Sequence, residues 1–242
     1  MENPSSVDSP SAWLARQWGW TLARYNVMVE GDSDARFFEL ASRLYAREHG
    51  RKLICRNISI FAAGRGNDGG TYGVAERFPT LHNVMRLEQD ENGKRRYRVI
   101  ALLDDDPMGR RAVNGIQTGN RSVKEYENIF RLRRVMPRTA GSAKSLETKT
   151  KTANAEFSNL DCVVEDLVSA TLCDEYATQF PHHRIGVPIQ LGSGHHARWE
   201  LVGKAGLLRH AEQRATLADV GRLIEVLISL RSYFGLPPEG GT

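Results

Sequence analysis

Short apolar segments of strand length alternate with segments of helical periodicity in the first half of this chain. The strand candidates are residues 27–29, 53–62, 97–103 and, as the weakest, 132–136. Between the first two, large apolar side chains recur with the spacing of one helix face from Phe37 to Tyr45. Repeated alternation of strand and helix is typical of an α/β layered fold, in which helices flank a mostly parallel sheet.

Shifts in composition divide the chain into four parts. They are a polar tail with a lead-in helix (1–25), the alternating α/β core (26–137), a loop or lid (138–158) and a C-terminal extension (159–242). The loop or lid is predicted because that segment contains few large apolar side chains. In the extension we expect a helix opening within 159–168, a strand at 185–191 and two helices within 196–234.

Composition excludes several classes of protein. The chain has 242 residues, of which 40% are hydrophobic, and this is enough for one sizeable core. No apolar run reaches the roughly 18 residues of a membrane span, and we expect no secretory signal. Three cysteines without CxxC spacing argue against a disulfide framework or a zinc site, so we expect a cytoplasmic protein. The net charge of +4 permits a nucleic-acid partner without requiring one.

Acidic residues follow two of the predicted strands directly. Glu30 comes after the first strand, and Asp104 and Asp106 come after the most hydrophobic one. If these strands are neighbours, their carboxylates meet at one edge of the sheet and repel each other. A divalent cation such as Mg²⁺ or Mn²⁺ relieves that repulsion, because it prefers oxygen ligands. Taken singly, each acidic segment can instead be a helix cap or a capped turn.

These two segments resemble the two signatures of the Toprim domain. Glu30-Gly31 resembles the strand-ending Glu-Gly signature, and Asp104-Asp105-Asp106 with Gly109 resembles the Asp-x-Asp signature with its following glycine. The resemblance covers residues 26–137 and implies a Toprim-like, Rossmannoid layered fold.

The remainder of the chain resembles the OLD-family (overcoming lysogenization defect) Toprim nucleases. Three features carry this resemblance: the glycine-rich turn at residues 64–67, the acidic segment around Glu165, and Lys204 near the C-terminus. OLD-family proteins usually carry an ABC-type ATPase domain, but this chain has no P-loop sequence. It is therefore similar to stand-alone Toprim effectors of bacterial anti-phage systems, which implies a separate ABC-type ATPase as partner.

The resemblance implies a site with two metal ions, Mg²⁺ or Mn²⁺. Its catalytic residues would be Glu30, Asp104, Asp106 and Lys204. Its metal ligands would be Glu30, Asp34, Asp104, Asp106, Asp161 and Glu165. Backbone at Gly31, Gly64, Arg65 and Gly66 would bind phosphate, since glycine lets the main chain approach a ligand closely.

The expected activity is endonucleolytic cleavage of nucleic acid. A basic surface, called the basic track below, is expected to bind the phosphate backbone of the substrate. The residues assigned to that track are Arg110, Arg111, Arg131, Arg133 and Arg134. Two alternatives stay open: an RNA endonuclease acting on transfer or ribosomal RNA, and a non-catalytic nucleic-acid-binding regulatory subunit. A homo-oligomer is also left open.

Overall fold

The central feature of the fold is a four-stranded parallel sheet. The computed structural model describes residues 9–64, 68–138 and 141–239. Its central strands are β1 (Tyr25–Val29), β2 (Ile58–Ala62), β3 (Arg98–Leu103) and β4 (Ile129–Arg131). They pair in the order β2-β1-β3-β4, and every pairing is parallel. The predicted α/β class with a mostly parallel sheet is therefore confirmed.

Helices and a small antiparallel hairpin make up most of the rest. The helices are α1 (Pro10–Gln17), α2 (Asp32–His49), α3 (Gly70–Leu87), α4 (Pro107–Gly119), α5 (Ala143–Ala153), α6 (Ala170–Gln179), α7 (Leu201–Arg214) and α8 (Gly221–Tyr233). The hairpin consists of β5 (Arg184–Leu191) and β6 (Gly194–Trp199). No helix in the described ranges is long and apolar enough to cross a membrane.

Both faces of the parallel sheet are buried. Side chains alternate along β1, so that Val27 and Val29 join one hydrophobic cluster while Met28 joins the other. The first cluster also contains apolar residues of α2, α6, α7 and α8, and the second contains those of α1, α3 and α4. Burial on both faces explains why the strands are nearly continuous apolar runs in the sequence.

The register of the sheet fixes which strand ends are neighbours. β1 lies between β2 and β3, with Val29 opposite Ala62 on one side and Leu102 on the other. The residues that follow β1 and β3 therefore leave the sheet side by side, at the same edge. This adjacency was the condition for the predicted convergence of carboxylates, and the structure meets it.

Several predicted elements need correction. The predicted loop at 138–158 contains α5 and a 3₁₀ turn, Ala155–Phe157. The side chain of Ser142 caps α5, and the helix buries only a narrow face, so its sequence contains few large apolar residues. The fourth strand is Ile129–Arg131, just before the predicted 132–136. Residues 159–168 do not open an α-helix. They run extended into a 3₁₀ turn, Val164–Leu167, because Cys162 pairs with the backbone of Asp105.

The hairpin is partly as predicted. The strand expected at 185–191 is confirmed by β5, and the two C-terminal helices are confirmed by α7 and α8. The first of these helices begins at Leu201, however, and not near residue 196, because residues up to Trp199 pair with β5.

Candidate active site

Glu30 and Asp104 meet at the carboxyl edge of the sheet. Each directly follows a strand, β1 and β3 respectively. The backbone N–H of Asp104 donates a hydrogen bond of 3.0 Å to Oε1 of Glu30, although the two residues are 74 positions apart in sequence. Asp106 lies two residues further on, as the N-cap of α4, and its Oδ1 accepts a hydrogen bond from Gly109 N–H.

Asp34 reaches the same edge from the first turn of α2. Its Oδ2 accepts a hydrogen bond of 2.8 Å from the N–H of Gly31, the residue after Glu30. The carboxylate is therefore tied to the end of β1. It is close enough to act electrostatically on both Glu30 and Asp104. The amide of Gly31, predicted to bind phosphate, already has this carboxylate as its acceptor.

Backbone pairing between two distant segments places Glu165 at the carboxyl edge of the sheet. Asp105 and Cys162 form an isolated antiparallel bridge, with N–H to O distances of 2.8 and 3.2 Å in the two directions. The 3₁₀ turn Val164–Leu167 follows at once and buries Glu165 completely. The bridge thus places a carboxylate distant in sequence beside the ends of β1 and β3.

Lys204 is the cation of this group. Its Nζ lies 3.3 Å from Oε1 of Glu165. Helix α7 can bring it there because Gly206 packs directly against Tyr176, where an added Cβ would lie 1.8 Å from the phenol oxygen. Glu30, Asp34, Asp104, Asp106, Glu165 and Lys204 are called the acidic cluster below.

Burial and mutual repulsion raise the pKa values of the carboxyl groups. Burial, with repulsion from Asp34 and Asp106, raises the pKa of Glu30 to about 8. Burial, with repulsion from Glu165, raises the pKa of Asp34 to about 6. The pKa of Asp104 is also raised well above its ordinary range, first by burial and then by its acidic neighbours.

The pKa of Lys204 responds in the opposite sense. Burial acts to lower it, but attraction from Glu165, Asp104 and Asp34 outweighs burial and the pKa is raised. One ammonium group cannot balance five ionised carboxylates. The raised pKa values of Glu30 and Asp104 are the response, since protonation removes part of the excess negative charge.

This imbalance predicts how stability depends on pH in the absence of divalent ions. The pKa of Glu30 is 4.5 ordinarily and about 8 in the folded chain, so the folded state binds the extra proton between these values. Stability is then lost as pH rises from about 4.5 to 8, by an amount on the order of a few kcal/mol. Thermal melts in EDTA at pH 5 and pH 8 measure this loss.

Glu30→Gln is the matched comparison for those melts, because it stays neutral at both pH values. We expect wild type and variant to have similar stability at pH 5 and the variant to be more stable at pH 8. Identical pH profiles for the two proteins would show that burial and the neighbouring carboxylates do not raise the pKa of Glu30.

The acidic cluster fits a divalent cation by its donor chemistry. It supplies only carboxylate oxygens, which suit Mg²⁺ and Mn²⁺. Glu165 is buried, and its carboxylate contacts a single cation, Lys204, which lies 3.3 Å from Oε1 and donates a hydrogen bond of 3.4 Å to Oε2. No set of three or more His, Cys, Asp or Glu side chains in that part of the chain is already arranged around a common metal position.

Gly109 fits the turn between β3 and α4 for a steric reason. A Cβ at this position would lie 2.0 Å from the backbone oxygen of Asp104, and the Gly109 N–H binds Asp106. Gly115 lies in the same helix, where a Cβ would meet nothing within 4 Å. The glycine of the second signature is thus explained by close approach of α4 to the strand end.

The two glycines give opposite predictions for alanine substitution. Gly109→Ala should lower the free energy of unfolding by about 2 kcal/mol or more, because backbone must move at the Asp104–Asp106 turn. Gly115→Ala should raise it by about 0.5–1 kcal/mol, since alanine is the better helix former. Urea denaturation of both variants measures the difference. If Gly109→Ala leaves the free energy of unfolding unchanged, the turn is not as tight as the structure indicates.

Asp105 points away from the acidic cluster and forms ion pairs with three arginines. Successive side chains of an extended segment alternate, so Asp105 faces the opposite side from Asp104 and Asp106. It is buried and forms ion pairs with Arg110, Arg131 and Arg133. No role was predicted for Asp105, although the alternation of side chains along three consecutive acidic residues was the signal that could have revealed its separate role.

The arginines predicted to contact nucleic acid are therefore placed differently from one another. Arg110, Arg131 and Arg133 are held by Asp105, and Arg110 also pairs with Asp161 at 2.8 Å. Arg111 is exposed on α4 with no ion-pair partner in the described ranges. Of the five, it is the one left free to contact a substrate without breaking an ion pair.

Arg134 corrects the predicted basic track. Its side chain is 1% exposed, so it is not part of the surface. Its guanidinium donates to the backbone oxygens of Asp161 and His195, both at 2.7 Å, and lies 3.5 Å from Asp166. Asp166 in turn accepts hydrogen bonds from His196 and from two backbone amides. This network joins the extension to the core.

Asp161 and Gly64, two other predicted site residues, are placed differently with respect to the acidic cluster. Asp161 is engaged by Arg110, on the side of Asp105, which removes it from the predicted second metal. Gly64 follows β2 at the same edge of the sheet, where Ala63 N–H bonds the backbone oxygen of Val29 and Gly70 N–H bonds that of Glu30. It packs against the backbone of Asp68, where an added Cβ would lie 2.0 Å from the carbonyl oxygen. Arg65 and Gly66, predicted to bind phosphate, lie outside the described residues.

Comparisons of this chain with protein-family models, with curated proteins and with solved structures give no match.

Proposed function

We propose that this chain is a metal-dependent nuclease that cleaves phosphodiester bonds at the acidic cluster. The observation that carries the proposal is the meeting of five carboxylates and one lysine, from distant segments, at the carboxyl edge of a parallel sheet. Burial makes this arrangement costly without a cation. A structural role alone would be served better by balanced ion pairs.

The carboxylates have distinct positions in the proposed site. Glu30, Asp104 and Asp106 would hold one divalent ion, since they lie at the ends of β1 and β3. Glu165 would contribute to a second, with Asp34 ordering the ligands between them. When bound, such ions supply a more acidic water and neutralise charge on the phosphate.

Lys204 is positioned to neutralise negative charge next to the carboxylates. Its Nζ pairs with Glu165 in the absence of substrate. Electrostatic attraction to Glu165, and then to Asp104 and Asp34, raises the pKa of Lys204 and keeps the ammonium protonated. A phosphate oxygen entering the cluster would meet this fixed positive charge, which favours the more negative transition state over the ground state.

The substrate and the partner belong to the proposal as well. A phosphodiester in DNA or in structured RNA would approach along α4, where Arg111 is exposed. A separate ABC-type ATPase and a role in anti-phage defence stay predictions from the resemblance to Toprim effectors.

A cleavage assay tests the proposed activity. Purified chain is incubated with supercoiled plasmid or with transfer RNA, in Mg²⁺, in Mn²⁺ or in EDTA. We expect metal-dependent cleavage of one substrate and none in EDTA. Cleavage of transfer RNA alone would select the RNA endonuclease alternative. Binding of both substrates without cleavage, under all metal conditions, would instead favour the non-catalytic subunit.

A further inference from the structure

A large basic cavity lies at the opposite end of the sheet from the acidic cluster. It encloses about 600 Å³, a volume typical of sites for small molecules. Arg98, the first residue of β3, lines it, and so does Asn128, which precedes β4. Asp104 follows the other end of β3. The cavity and the acidic cluster are therefore separate sites at the two ends of one strand.

The positive charge of this cavity is not balanced. Its lining cations are Arg86, Arg95, Arg98, Arg121 and Lys124. Lys124 pairs with Glu127 at 3.9 Å, and Glu127 is the single carboxylate among the described lining residues. The four arginines form no ion pair with any residue in the described ranges. The arginines around Asp105, by contrast, are paired with carboxylates. The cavity is therefore a better site for an anion than the surface around Asp105.

His82 contributes a buried polar atom that lacks a partner. Its side chain lines the cavity and is 5% exposed, and Nε2 makes no hydrogen bond within the described chain. Burial, with repulsion from Arg86 and Arg95, lowers the pKa of His82 to about 4, so the ring is neutral at pH 7. A buried ring nitrogen without a partner costs free energy. Nε2 is not accessible from the open cavity, so the neutral ring lines the wall without reaching a ligand.

Aromatic side chains form another wall. Phe130 and Tyr233 stack with ring centroids 4.6 Å apart and an interplanar angle of 8°. Tyr126 also lines the cavity, and its backbone has φ +67°, a left-handed conformation that is rare for a residue with a side chain. Strain of this kind concentrates at ligand sites. Phe130 is buried behind this wall, so the half-buried rings of Tyr126 and Tyr233 are the aromatic surface beside the unpaired arginines. Aromatic surface next to unpaired arginines suits a ligand with both a planar ring and phosphates.

We propose that this cavity binds a nucleotide carrying two or more phosphate groups. The phosphates contact the unpaired arginines, whose planar forks match phosphate oxygens. The base lies against the aromatic wall formed by Tyr126 and Tyr233. This site does not depend on the proposed nuclease activity.

Calorimetric titration of the full chain tests the proposal, with ATP, inorganic tripolyphosphate and a single-stranded oligonucleotide as probes. EDTA is present throughout, so that no divalent ion bridges a probe to the acidic cluster. The variant is Arg95→Gln with Arg121→Gln, both exposed at the cavity. The control is Arg43→Gln with Arg47→Gln, which removes the same charge from exposed positions of α2 that do not line the cavity.

We expect ATP to bind more tightly than tripolyphosphate, and the cavity variant to weaken ATP binding at least about tenfold while the control does not. Absence of ATP binding, or equal weakening in the control, overturns the proposal. Equal affinity for ATP and tripolyphosphate overturns the assignment to a nucleotide. Preferential binding of the oligonucleotide, lost in the cavity variant, overturns it in favour of a nucleic-acid track.

Discussion

Glu30→Gln is expected to abolish metal-dependent cleavage while leaving the fold intact. The substitution keeps the size of the side chain and its carbonyl oxygen, which can still accept the hydrogen bond from Asp104 N–H. It removes the charge that would ligate a divalent ion at the end of β1. We expect the cleavage rate to fall at least about a hundredfold, since loss of an inner ligand should cost at least as much as loss of an outer one. Initial rates in Mn²⁺ measure the change.

Asp32→Asn is the matched control for this variant. Asp32 lies in the same first turn of α2 as Asp34, but its side chain is exposed and outside the acidic cluster. It loses the same charge and should keep wild-type activity. If Glu30→Gln cleaves at the wild-type rate, or if both variants lose activity equally, the acidic cluster is not the catalytic centre.

Arg134→Ala is expected to destabilise the chain more than any other single change considered. The buried guanidinium donates hydrogen bonds to two backbone oxygens and forms an ion pair with the carboxylate of Asp166. Its loss leaves buried acceptors and a buried carboxylate without their cation. The cost should be about 3–5 kcal/mol in the free energy of unfolding. Chemical denaturation followed by circular dichroism measures it.

Arg111→Ala separates this structural effect from a general effect of charge. Arg111 is exposed on α4, so its removal should change stability by less than about 0.5 kcal/mol. It should weaken binding of nucleic acid instead. A stable Arg134→Ala protein would contradict the buried network that joins the extension to the core.

Much of the fold was predictable from hydrophobic patterning. The strands of the sheet are buried on both faces, so they stand out in the sequence as short apolar runs. The long α2 and the C-terminal α8 were recognisable from their apolar stripes. Strand order was not predictable from these patterns, because the adjacency of β1 and β3 is a property of the whole sheet.

Other elements were missed for local reasons. Helix α5 is rich in Thr and Lys and buries only Leu146 and Thr150, so composition alone indicated a loop. The segment before Glu165 has an apolar pattern suited to a helix. Its extended course is set by pairing with Asp105, a tertiary contact without a sequence signature.

Some residues of the candidate site could be predicted from the sequence and others could not. Strand-ending acids could be located because the end of an apolar run is visible in the sequence. The burial of Arg134 and the capture of Asp161 by Arg110 could not, because both depend on how the extension packs on the core. A basic side chain near a strand end looks alike in sequence whether it faces solvent or a buried carboxylate.

The position of a manganese ion in crystals of this chain tests the central claim most directly. Anomalous scattering identifies Mn²⁺ without reference to the chemistry proposed. We predict a peak at the carboxyl edge of the sheet, with oxygens of Glu30 and of Asp104 or Asp106 within about 2.5 Å of it. A peak elsewhere, or an empty edge with Glu30 turned away from Asp104 at millimolar Mn²⁺, would contradict the account.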